Sequence, residues 1–153
     1  HHLFMTKLNL PEYPIRIRTQ GQRRYVFDEF RKKYVVLTPE EYVRQHFLHY
    51  LVNELSYPKS LIKVESGIKY NRMSKRTDIT VYDRQARPFL LVECKSTKVD
   101  LDGKVFDQLS VYNQTIKANY LVVTNGLKHF CCRLDYQAQS YSFVQEIPSF
   151  GSF

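Results

Sequence analysis

The chain has 153 residues, which fits one domain large enough to bury a core without disulfides or a structural metal. Hydrophobic residues make up 43% and charged residues 25%, an ordinary globular balance. Lysine and arginine outnumber aspartate and glutamate by 23 to 15, a net charge of +8. This charge favours a polyanionic partner, nucleic acid first; the alternative is a basic soluble protein without such a partner.

The cysteine count and the hydropathy pattern narrow the class of protein further. Three cysteines do not make a disulfide framework, and we expect all three to be reduced, as in a cytoplasmic protein. No apolar run approaches about 18 residues, so we expect no membrane span, and no signal peptide is recognisable. His1 and His2, ahead of Met5, are compatible with the end of a purification tag over residues 1–4.

The predicted elements begin with an extended N-terminal arm over residues 1–22. Pro11 and Pro14 keep this arm extended, and alternating Ile and Arg at residues 15–18 allow one short strand. Residues 23–27 and 33–37 are typical of the two arms of a hairpin. We expect residues 23–153 to form a single domain.

A helix is predicted after this hairpin. Thr38 is a good N-cap, Pro39 occupies the first helical position, and Glu41 completes a capping box. Apolar residues then recur at helical spacing and predict one apolar stripe. The stripe consists of Val43, Phe47, Tyr50, Leu51 and Leu55.

Three strands, a second helix and a further strand are predicted next. The three strands cover residues 61–70, 77–82 and 89–96. Asp100 or Asp102 caps the helix, which runs to about Lys117 with an apolar stripe of Val105, Leu109, Tyr112 and Ile116.

A strand over residues 120–124, the hairpin signal Asn125-Gly126, a returning strand and an edge strand over 140–145 follow. The predicted fold is an α/β sandwich, ordered α-β-β-β-α-β around a central mixed sheet, with extra β hairpins at both ends.

Residues 89–96, with the sequence Phe-Leu-Leu-Val-Glu-Cys-Lys-Ser, carry the main functional signal. An apolar run ends in Glu93 and Lys95, which lie two apart and therefore on one face of the strand. Asp78 stands near the start of the preceding strand, and the short connection predicts that the two strands pair. Two carboxylates and a lysine placed together could hold a divalent metal beside a water nucleophile. A structural salt bridge is the alternative.

Asp78, followed fifteen positions later by Glu93-Cys94-Lys95, resembles the motif of the PD-(D/E)XK superfamily, which has the restriction-endonuclease-like fold. Gln108 and Tyr112 resemble the Q-x-x-x-Y signature of RecB-type nucleases and type I restriction subunits. Over about residues 24–148 the chain is similar to the N-terminal domain of type I restriction enzyme R subunits, and most similar to its stand-alone versions. Thr77 stands where the motif has proline.

The resemblance implies a role for each motif residue. Asp78 and Glu93, with the backbone carbonyl of Cys94, would ligate Mg²⁺ or Mn²⁺. Lys95 would orient the attacking water and stabilise the charged transition state. Gln108 and Tyr112 would support the site or contact DNA, with core packing as the alternative for the tyrosine.

Many relatives place an additional acid near the metal. The candidates are Glu40, Glu41, Glu54 and Glu65, although Glu41 already has a capping role. Arg72, Lys75 and Arg76 crowd the turn before Asp78 and are candidates for contacts with DNA phosphates.

Two other groups of residues have more ordinary interpretations. A second basic group could contact DNA or form a solvated face; it consists of Arg23, Arg24, Arg31, Lys32 and Lys33. His46 and His49 lack a third ligand at matching spacing, so we interpret them as surface or packing residues.

The expected function is a Mg²⁺-dependent DNA endonuclease or exonuclease related to restriction R subunits. The alternative is a non-catalytic DNA-binding or accessory module of a restriction or repair complex. No phosphate loop of the G-x-x-x-x-G-K type is present, so we expect no ATP site in this chain. The expected partners are DNA and either other restriction-complex subunits or a separate motor protein, in the cytoplasm.

Overall fold

The computed structural model describes residues 6–64 and 78–152. These residues form two helices, a short 3₁₀ turn at Lys59–Leu61 and nine strands. In chain order the elements are β1 (Ile17–Gln20), β2 (Arg23–Asp28), β3 (Lys33–Val36), α1 (Pro39–Asn53), β4 (Ile62–Val64), β5 (Ile79–Tyr82), β6 (Pro88–Cys94), α2 (Gly103–Ile116), β7 (Tyr120–Thr124), β8 (His129–Asp135) and β9 (Ser140–Val144). This order confirms the predicted α-β-β-β-α-β arrangement with β structure at each end.

The larger sheet has the strand order β4-β5-β6-β7-β8-β9. Strands β6 and β7 are parallel and are joined through α2, whereas each other neighbouring pair is antiparallel. The predicted mixed sheet is therefore confirmed. The hairpin turn predicted at Asn125-Gly126 is also confirmed, since β7 and β8 form a hairpin whose last pair before the turn is Thr124 and His129.

The smaller sheet contains β1, β2 and β3 in that order, all antiparallel. Its β2–β3 pair is the predicted hairpin, and β1 is the short strand that the alternation allowed. The preceding arm is anchored on the larger sheet, because Leu8 is buried and Asn9 N donates to Gly126 O at 2.7 Å.

Helix α1 begins as predicted but uses its acidic residue differently. Thr38 Oγ1 accepts a hydrogen bond from Glu41 N at 3.0 Å, and Pro39 is in the first turn. The second half of the expected capping box is wrong, since Thr38 N donates to Val36 O instead. The Glu41 carboxylate is buried and binds Arg31, Arg44 and Gln45, because a buried charge needs charged or polar partners.

Helix α1 is also buried over more of its circumference than one apolar stripe predicts. Every residue from Glu41 to Leu48 is buried. Val43, Phe47, Leu48 and Leu51 pack in one core cluster with residues of the main sheet and with Val26 of β2. The polar positions of α1 are buried because they meet the β2–β3 turn and the N-terminal arm, which periodicity within the helix does not reveal.

Helix α2 covers the opposite side of the main sheet. Asp102 Oδ1 caps it by accepting from Lys104 N and Val105 N, and Lys117 ends it in the left-handed conformation. Its predicted stripe is confirmed, since Leu109 and Tyr112 are buried with strand residues and Val105 and Ile116 pack against them. The sheet is thus enclosed between two helices where the motif strands end.

Three findings complete the comparison with the sequence. Cys94, Cys131 and Cys132 are free and buried, as expected for reduced thiols. Neither helix in the described residues has the length and apolar character needed to cross a membrane. Residues 1–5 and residues 65–77, which include most of the expected first strand and Thr77, lie outside the described residues.

Candidate active site

The candidate site lies where β5 begins and β6 ends. These strands pair as predicted, with Ile79 opposite Val92. Extending this register by one residue sets Asp78 opposite Glu93. Because Leu91 packs on the α2 side of the sheet, strand alternation directs Glu93 to that side as well.

Asp78 is held by two short hydrogen bonds. Its Oδ2 accepts from the backbone N–H of Cys94 and its Oδ1 accepts from Arg44 Nη2, each at 2.6 Å. The residue is only 5% exposed. Burial raises the pKa of this carboxyl above its ordinary value, although Arg44 and the Cys94 N–H act in the opposite direction. Asp78 is therefore a buried acid tied to the end of β6.

Glu93 and Lys95 form an ion pair beside it. Lys95 Nζ lies 3.4 Å from Glu93 Oε2, and both side chains are about a quarter exposed, at 26% and 23%. Burial and the nearby charge of Asp78 raise the pKa of Glu93 to about 7, although Lys95 opposes the rise. Burial and the neighbouring acid together therefore outweigh the effect of Lys95 on the pKa of Glu93.

Arg44 joins the site from α1, and sequence reasoning did not single it out. Besides Asp78, its guanidinium donates to Glu40 Oε2 at 2.6 Å and to Glu41 Oε1 at 2.5 Å. Burial alone would lower the pKa of Arg44, but the charge of Asp78 and of the other acids raises it, so the group stays protonated. The spacing of Arg44 from the two glutamates signals a helical ion pair. That spacing does not reveal that the same side chain reaches Asp78.

The ionic network continues into the β2–β3 turn. Arg31 donates to Glu41 Oε2 at 2.8 Å and, through Nε, to Asp28 Oδ2 at 2.7 Å. Gln45 Nε2 bridges the same two carboxylates at 2.9 and 3.0 Å. Arg31 is thus occupied inside the protein and does not stand on a solvated basic face.

Among the described residues, the ion pairs in and beside this network involve five carboxylates and three cations. The carboxylates are Asp28, Glu40, Glu41, Asp78 and Glu93, and the cations are Arg31, Arg44 and Lys95. With all eight groups ionised, these described residues carry a formal charge of −2, equal in size to the charge of one divalent cation.

The donor chemistry also fits such an ion. Hard cations prefer carboxylate oxygens, and a carboxylate oxygen that accepts one hydrogen bond, as each oxygen of Asp78 does, keeps acceptor capacity. Within residues 6–64 and 78–152, however, no three acidic, histidine or cysteine side chains are arranged as a metal cluster. The guanidinium of Arg44 lies among the carboxylates instead.

The four candidates for an additional acid have three different outcomes. Glu40 and Glu41 share Arg44 with Asp78 and so belong to the cluster. Glu54 is exposed at the other end of α1, where it accepts from Tyr13 Oη at 3.3 Å. Glu65 lies outside the described residues.

The other predicted site residues are placed less directly. Tyr112 is buried in the α2 core with Leu91 and Val123, whereas Gln108 is exposed. Their roles stay predictions. The DNA-contact candidates Arg72, Lys75 and Arg76 lie outside the described residues.

A comparison with known protein families matches residues 39–148 to the type I restriction enzyme R protein N terminus (HSDR_N). The chain belongs to this family. The match begins with α1 and ends beyond β9, so it includes Glu40, Glu41, Asp78 and Glu93 but not Asp28.

Comparisons with individual proteins add less. Among curated proteins, no significant match to this chain was found. One solved structure that matches is a fragment of a protein described as an HsdR subunit of a type I restriction enzyme from Vibrio vulnificus YJ016. The two share 20% sequence identity with a TM-score of 0.38, over 57% of this chain and 16% of that one. The chain therefore corresponds to only a small part of that relative.

Proposed function

We propose that this chain is a metal-dependent deoxyribonuclease domain, endonuclease or exonuclease, which uses Mg²⁺ or Mn²⁺. The observation that carries the proposal is the position of Glu93 beside Asp78 and Lys95 at the end of a buried strand. Burial and, after it, the neighbouring acid raise the pKa of Glu93 to about 7, because the charged form is poorly stabilised in this site. A site of this kind favours a cationic ligand.

Each residue would have a distinct role. Asp78, Glu93 and the backbone carbonyl of Cys94 would hold the ion, which when bound supplies charge stabilisation at phosphate and a hydroxide nucleophile. Lys95 would place a compact positive charge beside the phosphate and donate hydrogen bonds to the attacking water. Gln108 and Tyr112, on α2, would support this end of β6.

A DNA substrate is supported by the charge of the whole chain. The net charge of +8 attracts the phosphate backbone without reading its sequence. Arg72, Lys75 and Arg76 precede Asp78 in the sequence and would bind phosphates close to the site. Other subunits of a restriction complex, or a separate motor protein, are the proposed protein partners.

The test is a cleavage assay on linear, circular and single-stranded DNA with Mg²⁺ or Mn²⁺. Lys95→Ala should lower the cleavage rate at least a hundredfold, since removing one transition-state donor commonly costs that much. Lys98→Ala is the matched control, because Lys98 is an exposed lysine three residues further along. Absence of cleavage under all conditions, or equal rates for wild type and Lys95→Ala, would refute the proposal.

A non-catalytic DNA-binding or accessory module is the second candidate. Arg44 favours it, because a guanidinium bound to Asp78 at 2.6 Å compensates part of the acidic charge without a metal. Such a module would bind DNA in the same assays and leave it intact.

A further inference from the structure

The side chain of Arg44 is the feature from which a further property follows. Its guanidinium donates to carboxylates of Glu40, Glu41 and Asp78, and only 9% of the side chain is exposed. One nitrogen, Nη2, serves both Glu40 and Asp78. Asp78 Oδ1 is therefore occupied by a fixed cation from another element of the fold.

A guanidinium and a divalent cation make opposing demands on the same carboxylate. Arginine stays charged at every accessible pH, so it cannot yield by losing its proton. Two cations at one carboxylate in a buried site repel each other strongly, because the surroundings screen charge poorly. Full coordination by Asp78 therefore requires the Arg44–Asp78 contact to loosen.

The local geometry provides a place for the displaced guanidinium. Glu40 and Glu41 lie four and three residues before Arg44 on the same helix, so those two ion pairs do not depend on Asp78. Glu40 is 44% exposed, which marks the side of the cluster open to solvent. Arg44 can release one of its three carboxylates and remain paired with the other two.

We propose that Arg44 is a positioning residue that holds Asp78 in the metal-free protein and competes with the divalent cation for it. The inference rests on the proposed metal site. When the ion binds, Asp78 exchanges its contact with Arg44 for coordination of the ion. In the metal-free state Arg44 stabilises the cluster. In the loaded state the same residue lowers the affinity for the ion.

The test is a Mn²⁺ titration of the wild-type chain and of Arg44→Met, with free Mn²⁺ followed by its electron paramagnetic resonance signal. Methionine keeps an unbranched side chain but removes the competing charge. We expect Arg44→Met to bind Mn²⁺ at least tenfold more tightly than wild type. It should also melt at a lower temperature without metal and gain more melting temperature from Mn²⁺.

Arg31→Met is the matched control. Arg31 belongs to the same network and binds Glu41 and Asp28, but it makes no ion pair with Asp78. Its loss should lower the melting temperature while changing the Mn²⁺ affinity less than threefold. A gain in affinity as large as that of Arg44→Met would mean that any lost positive charge suffices, and would overturn the specific role of Arg44.

The outcomes separate this inference from the proposed function. Tighter binding by Arg44→Met supports the inference, even where wild type binds no Mn²⁺ and the proposed activity of the isolated chain fails. If wild type binds Mn²⁺ and Arg44→Met binds it with equal or lower affinity, the inference is wrong, while the proposed metal site is supported. No binding by any variant overturns both.

Arg44→Lys covers the case in which Arg44→Met does not fold. A lysine ammonium keeps the charge but cannot reproduce the planar fork that contacts three carboxylates. We expect its Mn²⁺ affinity to rise above that of wild type, since its hold on Asp78 is weaker. An affinity equal to or below the wild-type value would contradict the inference.

Discussion

Arg44 Nη2 lies 2.6 Å from Asp78 Oδ1 and thereby joins the second turn of α1 to the residue that precedes β5. The two residues are 34 positions apart in the sequence. Their contact links the network that starts in the β2–β3 turn to the pair of acids at the end of β6. Stability and site chemistry therefore depend on the same set of buried charges.

The first prediction concerns Asp28, which is fully buried and accepts hydrogen bonds from Arg31, Gln45 and two backbone N–H groups. Asp28→Ala leaves the guanidinium of Arg31 without this partner, and breaking a buried pair typically costs about 3–5 kcal/mol. Unfolding in urea should show a loss of that order. The control is Glu29→Ala, whose exposed pair with Lys59 should be worth under about 1 kcal/mol. Equal losses for both variants would contradict this picture.

The second prediction is a pH dependence of stability in metal-free buffer. The pKa of Glu93 is raised from 4.5 to about 7 in the folded chain, so between these values the folded state binds more protons than the unfolded state. Stability should therefore fall as pH rises through this window. The penalty should be complete above pH 7 and absent below pH 4.5.

Glu93→Gln removes this titration. The variant should be more stable than wild type at pH 8, on the order of 2 kcal/mol, and equally stable near pH 4.5. Urea unfolding with a chelator present, at both pH values, measures the difference. A variant that is less stable at pH 8 would show instead that Glu93 acts chiefly as the structural partner of Lys95.

The third prediction concerns cleavage by the same variant. In the proposed nuclease, Glu93→Gln removes a ligand charge while keeping the shape of β6, so the ion is held and neutralised less well. Each ~1.4 kcal/mol lost from transition-state stabilisation is tenfold in rate, and we expect a loss of at least a hundredfold. Glu146→Gln, at an exposed position, should cleave at the wild-type rate. Full activity in Glu93→Gln would remove Glu93 from the catalytic set.

The fourth prediction concerns the salt dependence of DNA binding. Each phosphate neutralised should contribute about −0.9 to the slope of log K against log salt on duplex DNA. Replacing Arg72, Lys75 and Arg76 by glutamine should flatten that slope by about 2–3. Replacing the exposed Lys32 and Lys33 tests the second basic group in the same way. Binding that does not change between low and high salt would favour the basic protein without a nucleic-acid partner.

The fifth prediction tests how the N-terminal arm is anchored. Gly126 has a φ of +86°, and an added Cβ would lie 2.8 Å from a methyl of Leu8 and 3.2 Å from one of Val43. Gly151 has the same φ with no atom within 4 Å, so Gly151→Ala isolates the backbone penalty of about 1 kcal/mol. Gly126→Ala should cost about 1–3 kcal/mol more in urea unfolding, because the arm must shift. Equal losses in the free energy of unfolding for the two variants would mean that the N-terminal arm contributes little to stability.

Local signals in the sequence were sufficient to predict the helices and the strands named here. The Thr38 cap with Pro39, the Asp102 cap and the stripe of α2 place the helices, because capping and 3.6-residue periodicity act within a few residues. Alternation and the Asn125-Gly126 turn place β7 and β8 for the same reason. The pairing of β5 with β6 also followed from the sequence, since a short connection between two apolar strands favours neighbouring positions.

The candidate site could be predicted only in part. Asp78, Glu93 and Lys95 could be named as candidates because strand parity and motif spacing are local properties. Glu40 and Glu41 could be named as candidates, but their helix alone does not show whether they reach Asp78 or serve only as caps. The structure decides this, because Arg44 in the second turn of α1 pairs with both glutamates and with Asp78, which directly precedes β5.

Arg44, Asp28 and Gln45 show what only the tertiary structure decided. On the sequence they are ordinary polar residues of a helix and a hairpin, and such residues are usually solvated. Burial turns them into a connected ionic network, because a charge removed from water must find an opposite charge or a hydrogen bond nearby. The chain itself determined which acids and bases were available. Packing of the β2–β3 turn and α1 against the main sheet determined which of them meet at Asp78.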